Sequence, residues 1–434
     1  MKTPTTYQRE IATAVAGDVF GQRGSTFTVE MPLGSGVSEL ASQLEMLVMG
    51  VGVNAGGALL RVVPGGHPDV KGRLISNLRE SALRGLWSDE RGCVRLGRAH
   101  AHYAAPEDLP RTAGPFELIQ AVDAQLLRPA EIARLQEIAG ASGATVVLYG
   151  RPWNGATPFE RIKLANKDAV RTEGVRRHLR VPLARAEAEL PGYAGRVEVE
   201  RERLGVAHPE FETSYELRPV SQGAAAFSRG RLRGLFGGGG PRRLAVAGRL
   251  IASVVVTRLA EGGTPATAVV TVASCTGGGL RVLDHKWIKA PDVPPLVAAI
   301  ERFLERTWPC ESLLVRMRCQ DEGQMRLLLQ HSLRPGGVRW VPDTGRQRER
   351  ESTSILAALL TGKLSLYDMD GSPEYRALRR EMEWAVLRLG EGRGFTVVVE
   401  GQDEGFLEGL SMLISEGAEQ GEEQQLVFPI AIAS

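Results

Sequence analysis

Cysteine is scarce in this chain, with four in 434 residues (Cys93, Cys275, Cys310 and Cys319) and no C-x-x-C spacing among them. That argues against a disulfide framework or a spaced zinc motif and fits a reducing cytosol. There is no excess of charge of one sign: 53 Lys and Arg against 51 Asp and Glu leave a formal +2. No global basic field announces nucleic acid, although a local basic groove is compatible with the count. No uninterrupted apolar run reaches membrane-spanning length. The opening MKTPTTYQRE is polar and reads as lacking a signal peptide. A cytoplasmic protein is the expectation. What is present, 43% hydrophobic and 24% charged residues, is the balance of a soluble globular protein. The length exceeds one ordinary core, so two or three domains are expected.

The stretch Phe27–Leu40, FTVEMPLGSGVSEL, organises the first half. Phe27, Thr28 and Val29 read as a buried strand, Gly34, Ser35, Gly36, Val37 and Ser38 as a turn, and the residues beyond as a helix. Strand, Gly-rich turn and helix is the geometry of a phosphate-binding loop, where backbone N–H groups and a helix N-terminus face an anion. Against G-x-x-x-x-G-K-[ST], Gly36 and Ser38 fit, whereas Val37 takes the lysine position and Met31 that of the first glycine. The bland alternative is a strand–turn–helix unit with no ligand.

Strands alternating with helices continue the pattern: Ala58–Val63, then a helix from Asp69 to Leu86, then Cys93–Tyr103. His100 and His102 share a face of that last strand. With no third ligand near in sequence they read as solvated histidines rather than a metal pair. Phe116–Gln125 is a buried strand ending at Asp123, and TVVLYG (Thr145–Gly150) is the next. This order indicates a parallel α/β sheet with ligands outside the carboxyl ends of its strands. Arg176 and Arg177, in GVRRH, are candidate phosphate contacts or simply a solvated face.

Ser228–Arg243 (SRGRLRGLFGGGGPRR) reads as a flexible basic linker. The expected division is 1–225, a linker over 226–243, and 244–434. Leu244–Leu259, Ala266–Ala273 and Leu280–Trp287 read as three consecutive, antiparallel strands. Helices and strands then alternate, with Tyr375–Leu389 read as one helix. That is the order of an RNase H-like fold. The fold class expected is therefore α/β throughout: a P-loop ATPase-like parallel sheet followed by an RNase H-like α/β domain.

The chain resembles the large terminase subunit of tailed phages, in its prophage-type branch. The resemblance rests on YQRE at Tyr7–Glu10, FTVEM…SGVSE at Phe27–Glu39, VDAQLL at Val122–Leu127 and TVVLYGRPWNGAT at Thr145–Thr157. It continues in GVRRH at Gly174–His178, HPEFETSYELRP at His208–Pro219, VLDH at Val282–His285, and KLSLYDMDGSPEYRALRREME at Lys363–Glu383. It implies a DNA-packaging ATPase joined to a two-metal nuclease, with double-stranded DNA, a portal and a small terminase subunit as partners. ATP and Mg²⁺ are implied by the resemblance alone. Tyr7 and Gln8 would line adenine, and Gly34, Ser35, Gly36 and Ser38 would hold phosphate.

The departures fall on the chemistry. The family loop R-Q-x-G-K-S reads Leu33–Ser38 here, without arginine or lysine. Those cations offset charge during phosphoryl transfer. The paired D-E at the strand end reads Val122-Asp123, leaving one degenerate acid. In the second half the strand-end acid V-V-D reads Leu314-Val315-Arg316, no acid follows Gly248 before Glu261, and only Asp403 and Glu404 remain at the last helix. Arg249, Arg316 and Asp403 are expected to meet there, with Arg316 paired to Asp403 or Glu404. The expectation is a pseudoenzyme with no resident metal that binds DNA or a protein through Arg176, Arg177, Arg242, Arg243 and the linker arginines Arg229, Arg231 and Arg233. The alternative is an active packaging ATPase with an unorthodox loop.

Overall fold

The computed structural model describes residues 3–64, 70–90, 92–111, 114–236, 248–258, 264–276, 279–318, 337–368, 370–390, 394–401 and 403–425. Two compact units are present: Met1–Arg201 with Pro209–Ser221, and Glu202–His208 with Gln222–Gly390 and Gly394–Ser434.

In the first unit the strands are β1 (Thr26–Glu30), β2 (Gly57–Val62), β3 (Trp87–Glu90), β4 (Cys93–Leu96), β5 (Ala99–Ala104), β6 (Leu118–Ala121), β7 (Thr145–Gly150) and β8 (His178–Arg180). They form one sheet in the order β3-β4-β5-β2-β6-β7-β1-β8. The six strands from β5 to β8 run parallel, and β3 and β4 extend the β5 edge antiparallel. The helices are α1 (Thr6–Phe20), α2 (Val37–Gly52), α3 (Val70–Glu80), α4 (Pro129–Ser142), α5 (Pro158–Glu173), α6 (Leu183–Glu189), α7 (Tyr193–Leu204) and α8 (Pro209–Ser214).

β7 is buried along its whole length, as a continuous apolar run in a parallel sheet should be. Val146 and Leu148 of β7 pack with Ile119 of β6 and with Ile132, Leu135 and Ile138 of α4. Each such side chain contributes about 1.5–3 kcal/mol by leaving water. Asp123 follows β6 and the Gly34–Ser38 loop follows β1, so both lie at carboxyl ends. The sequence leads one to expect the two at adjacent strand ends; instead β7 lies between β6 and β1.

The second unit has β9 (Arg249–Arg258), β10 (Ala266–Thr276), β11 (Gly279–Ala290), β12 (Ser312–Met317), β13 (Val338–Trp340) and β14 (Leu364–Ser365) in the order β13-β12-β9-β10-β11-β14. β9, β10 and β11 are an antiparallel meander, and β12 joins β9 in parallel. This is the RNase H-like order. The helices are α9 (Arg229–Leu235), α10 (Val293–Thr307), α11 (Gly345–Leu360), α12 (Pro373–Glu383) and α13 (Phe406–Gln425). Leu296, Val297 and Ile300 of α10 pack against Val254, Val270 and Leu283 of the sheet. Gly409 lets α13 approach the sheet closely, because a Cβ there would stand 2.9 Å from Ser253 Oγ.

Three local expectations are corrected. The single strand read over Cys93–Tyr103 is two, β4 and β5, paired antiparallel. The stretch read as a flexible linker contains a helix, α9; Arg242 and Arg243 lie outside the described residues. The helix expected over Tyr375–Leu389 stops at Glu383, and Ala385–Leu389 is a strand, β15, paired antiparallel with β16 (Phe395–Val399).

Candidate functional site

The loop after β1 has the backbone of an anion cradle. Gly34 and Gly36 adopt left-handed φ values of 74° and 100°, and Gly36 opens α2. Val37 is the first residue of α2 and Ser38 the second.

The side chains around this loop are already committed. Thr5 and Gln8 form a capping box on α1, with Gln8 Oε1 accepting from the Thr5 N–H at 3.0 Å. Gln8 Nε2 donates to the Gly36 carbonyl at 3.3 Å. Both ends of the Gln8 amide therefore already make one hydrogen bond each, which leaves one N–H and one lone pair. Tyr7 is 1% exposed, and its hydroxyl donates to the Ser35 carbonyl at 2.7 Å. Tyr193, unremarked in the sequence, donates to the Leu33 carbonyl at 2.7 Å. Ser35 Oγ donates to the Pro32 carbonyl at 2.6 Å. Tyr7 and Gln8, expected to line adenine, both hold carbonyls of the loop.

Cations near the strand ends are also engaged. Lys163 of α5 binds Glu30 at 2.8 Å and Glu160 at 2.5 Å, all three buried. His178 Nε2 is 3.5 Å from Glu30, and burial followed by neighbouring cations pushes its pKa down to about 4. Arg151, directly after β7, escaped the sequence reading. Its Nη2 is 3.5 Å from Asp123 Oδ1, and its Nη1 donates to Ser214 Oγ at 2.9 Å. The Ser214 carbonyl in turn accepts from the Leu33 N–H at 2.8 Å. Asp123 itself has a left-handed φ of 53°. The acid left at the expected Mg²⁺ corner thus faces a buried guanidinium, and Val122 beside it has no side-chain donor atom for a metal. These residues do not fit a Mg²⁺–ATP complex.

In the second unit the corner at the carboxyl end of β12 is filled by arginines. Arg316 is 1% exposed and makes a bidentate pair with Glu351, at 2.6 and 2.8 Å, plus a bond to Glu408 at 3.2 Å. Arg318 holds Asp403 at 2.9 and 3.0 Å and also Glu408. Arg348 pairs with Asp343 and lies 3.8 Å from Glu408. The partner of Asp403 is therefore Arg318, not Arg316, and Glu404 stands 3.7 Å from Arg380. Arg249 is absent from this corner. It begins β9, six residues before Val255, the register partner of Arg316, and pairs with Glu311 at 3.2 Å. At about 3.3 Å per residue it lies roughly 20 Å along the strand. Glu381 is 1% exposed, accepts the Glu404 and Leu407 N–H groups at the start of α13, and is pushed up to about 7 by burial. Among the described residues no three His, Cys, Asp or Glu side chains are gathered as a metal site. Two-metal chemistry needs free converging carboxylates, and these do not fit it.

Of the remaining candidates, Arg176 is exposed and Arg177 pairs with Glu173 at 3.1 Å. Arg229 and Arg233 are exposed on α9, and Arg231 is half-buried. Among the described residues no helix is long and apolar enough to cross a membrane.

No protein-family model matches the chain, and no curated protein matches it. Solved structures do. The large terminase of a thermophilic bacteriophage superposes with a TM-score of 0.59 at 11% identity, covering 96% of this chain and 99% of that one. The ADP complex of the same terminase gives 0.57 at 10% identity over 95% and 98%. Its ATP-gamma-S complex gives 0.55 at 11% over 94% and 98%. At such identity the likeness is one of fold: this chain has the large-terminase fold along nearly its whole length.

Proposed function

We propose that this protein derives from a phage DNA-packaging large terminase and works as a binding protein, without ATP-driven translocation or metal-dependent DNA cleavage. One observation carries the reading. At the corner where the fold would gather metal-binding carboxylates, Arg316, Arg318 and Arg348 are interleaved with Glu351, Glu408, Asp403 and Asp343. A guanidinium at hydrogen-bond distance repels a divalent cation and occupies the oxygens it would need. The first unit supports the same reading through Val37, Val122 and the Asp123–Arg151 contact.

The proposed partners are double-stranded DNA, met through phosphate contacts by Arg176, Arg177, Arg229 and Arg233, and the portal or small terminase subunit of the packaging machinery. Phosphate binding releases counterions, so affinity should fall steeply between about 50 and 200 mM salt. The deciding experiment incubates the full chain with supercoiled plasmid and Mg²⁺ or Mn²⁺. No nicking is expected, and salt-sensitive retention of the DNA on a filter is. Cleavage that disappears in an Asp403→Ala, Glu404→Ala double variant would overturn the proposal.

The second reading, an active packaging ATPase, is favoured by the left-handed Gly34 and Gly36 at the mouth of α2. Phosphate release from Mg²⁺–ATP by the unmodified protein, at rates typical of motors, would establish it.

A further inference from the structure

We propose that the solvent face of the β15–β16 ribbon binds an arginine on a basic segment of a protein partner, with the guanidinium stacked on Trp384 and held by Glu400. Strand pairing places these residues. Ala385 stands opposite Val399, and one position further out the Glu400 N–H donates to the Trp384 carbonyl at 3.1 Å. Residues 223–226 run along the other side of β15. The Gly223 N–H donates to the Leu387 carbonyl at 2.9 Å, the Ala226 N–H donates to the Ala385 carbonyl at 2.8 Å, and Ala225 stands opposite Val386. Directly opposed residues leave a sheet on the same side, and successive residues on opposite sides. One side therefore carries Ala385, Leu387 and Phe395, all buried. The other carries Trp384, Val386, Ala225 and Glu400, which together with Gly223 and Glu383 line an open cleft of about 410 Å³.

The cleft joins an indole face to negative charge. Trp384 is 46% exposed. Its ring is held from behind by Gly401, where a Cβ would stand 2.9 Å from the indole. An anchor fixed in this way loses little freedom on binding. Among the described residues no cation stands over the Trp384 ring, and exposed Glu400 has no ion-pair partner. Glu383 already pairs with Arg379 at 2.8 Å. Tryptophan is the aromatic residue that attracts a cation most strongly.

The charge also selects the occupant. A planar guanidinium can cover the indole while its N–H edge reaches a carboxylate, whereas an ammonium is a compact point charge without that fork. A nucleic-acid base could stack on the same ring, but its phosphates would be repelled by Glu400 and Glu383. Arg388 shares this side of the ribbon, four residues along β15 from Trp384. At about 3.3 Å per residue it is roughly 13 Å away, beyond the screening length of about 10 Å at 0.1 M salt. The site lies within the second unit and does not rest on the DNA-binding role proposed for the chain.

The test is the fluorescence anisotropy of a fluorescein-labelled arginine–glycine repeat peptide titrated with the full-length protein. Saturable binding that weakens as salt is added is expected. Trp384→Ala should lower affinity by roughly two- to thirty-fold, the range that a cation–π contact spans. Trp384→Phe should lower it less, and Glu400→Gln should lower it as well. A lysine–glycine repeat should bind more weakly than the arginine peptide. Circular dichroism of each variant checks its fold, and if Trp384→Ala does not fold, Glu400→Gln carries the comparison. No DNA enters this titration, so its failure is separate from a failure of filter binding. The proposal is overturned if the folded protein does not bind the peptide, if the folded variants bind it as tightly as the parent, or if the lysine repeat binds equally well. It is overturned too if labelled oligothymidylate, and not the peptide, binds in a Trp384-dependent way, which would assign the face to nucleotide bases.

Discussion

At the scale of single residues, the most constrained side chain is Arg316. It is a buried cation whose burial is tolerable because Glu351 and Glu408 supply the opposite charge. Removing it leaves two buried carboxylates facing one another. Arg316→Met should therefore destabilise the protein by about 3–5 kcal/mol, read as a fall in the denaturation midpoint. Adding Glu351→Leu to that variant should restore part of the loss; an additive result would show that the pair is not coupled. His208 gives a separate test through pH. It is 0% exposed, lies against Phe395 and the Thr353 carbonyl, and burial pushes its pKa down to about 4. The unfolded value is near 6.5, so the unfolded chain takes up the proton first as pH falls. Its contribution is stable above about pH 6.5 and is lost progressively towards pH 4, to a limit of about 3 kcal/mol. His208→Gln should flatten that part of a melting-temperature profile between pH 7 and 4. A profile of unchanged slope would assign the loss to other groups.

At the scale of elements, the loop between β1 and α2 depends on one glycine. Gly36 has φ 100°, and a Cβ there would meet Gln8 Nε2 at 2.5 Å. Gly36→Ala should cost about 1–3 kcal/mol through the left-handed backbone, and Gln8→Ala should relieve only the contact. A Gly36→Ala variant as stable as the parent would mean that the loop relaxes freely. The same element shows what the sequence makes legible. Phe27–Val29 and Thr145–Gly150 are apolar runs bounded by turn residues, so β1 and β7 are readable, as are the valine-rich β9 to β11. Ala385–Leu389 is not: its leucines and arginine continue the helical pattern of α12, and only pairing with Phe395–Val399 makes it a strand. The arginine corner was half legible. Arg316 in the place of an acid is visible in VVD-like spacing, but its partners lie 35 and 92 residues away, and no periodicity connects them. Arg151 was missed for the same reason, since its contacts with Asp123 and Ser214 are tertiary.

At the scale of the whole molecule, both units carry paired charges at the ends of their central strands, above buried apolar layers. Arg316, Arg318 and Arg151 each face a carboxylate. Unselected drift would place unpaired charges in cores as readily as at strand ends, and an unpaired buried charge costs several kcal/mol. Under the proposed function, paired charges at these positions in two separate units are what a fold kept for binding rather than catalysis would carry. It follows that catalysis should not return one residue at a time. Val37→Lys supplies the missing cation of the loop and should strengthen binding of a fluorescent nucleotide. It should leave phosphate release at background, because Val122 offers no ligand and Asp123 remains against Arg151. Val37→Lys with Val122→Asp supplies both groups, while Gln8 and Tyr7 still hold the loop carbonyls and Arg151 still faces Asp123. The double variant should bind Mg²⁺–ATP more tightly than either single variant and still fall short of motor rates by a factor of about a hundred or more, the usual cost of one missing transition-state contact. Turnover at motor rates from Val37→Lys alone would show that the first unit is a working ATPase lacking a single charge, and would remove the argument from compensation.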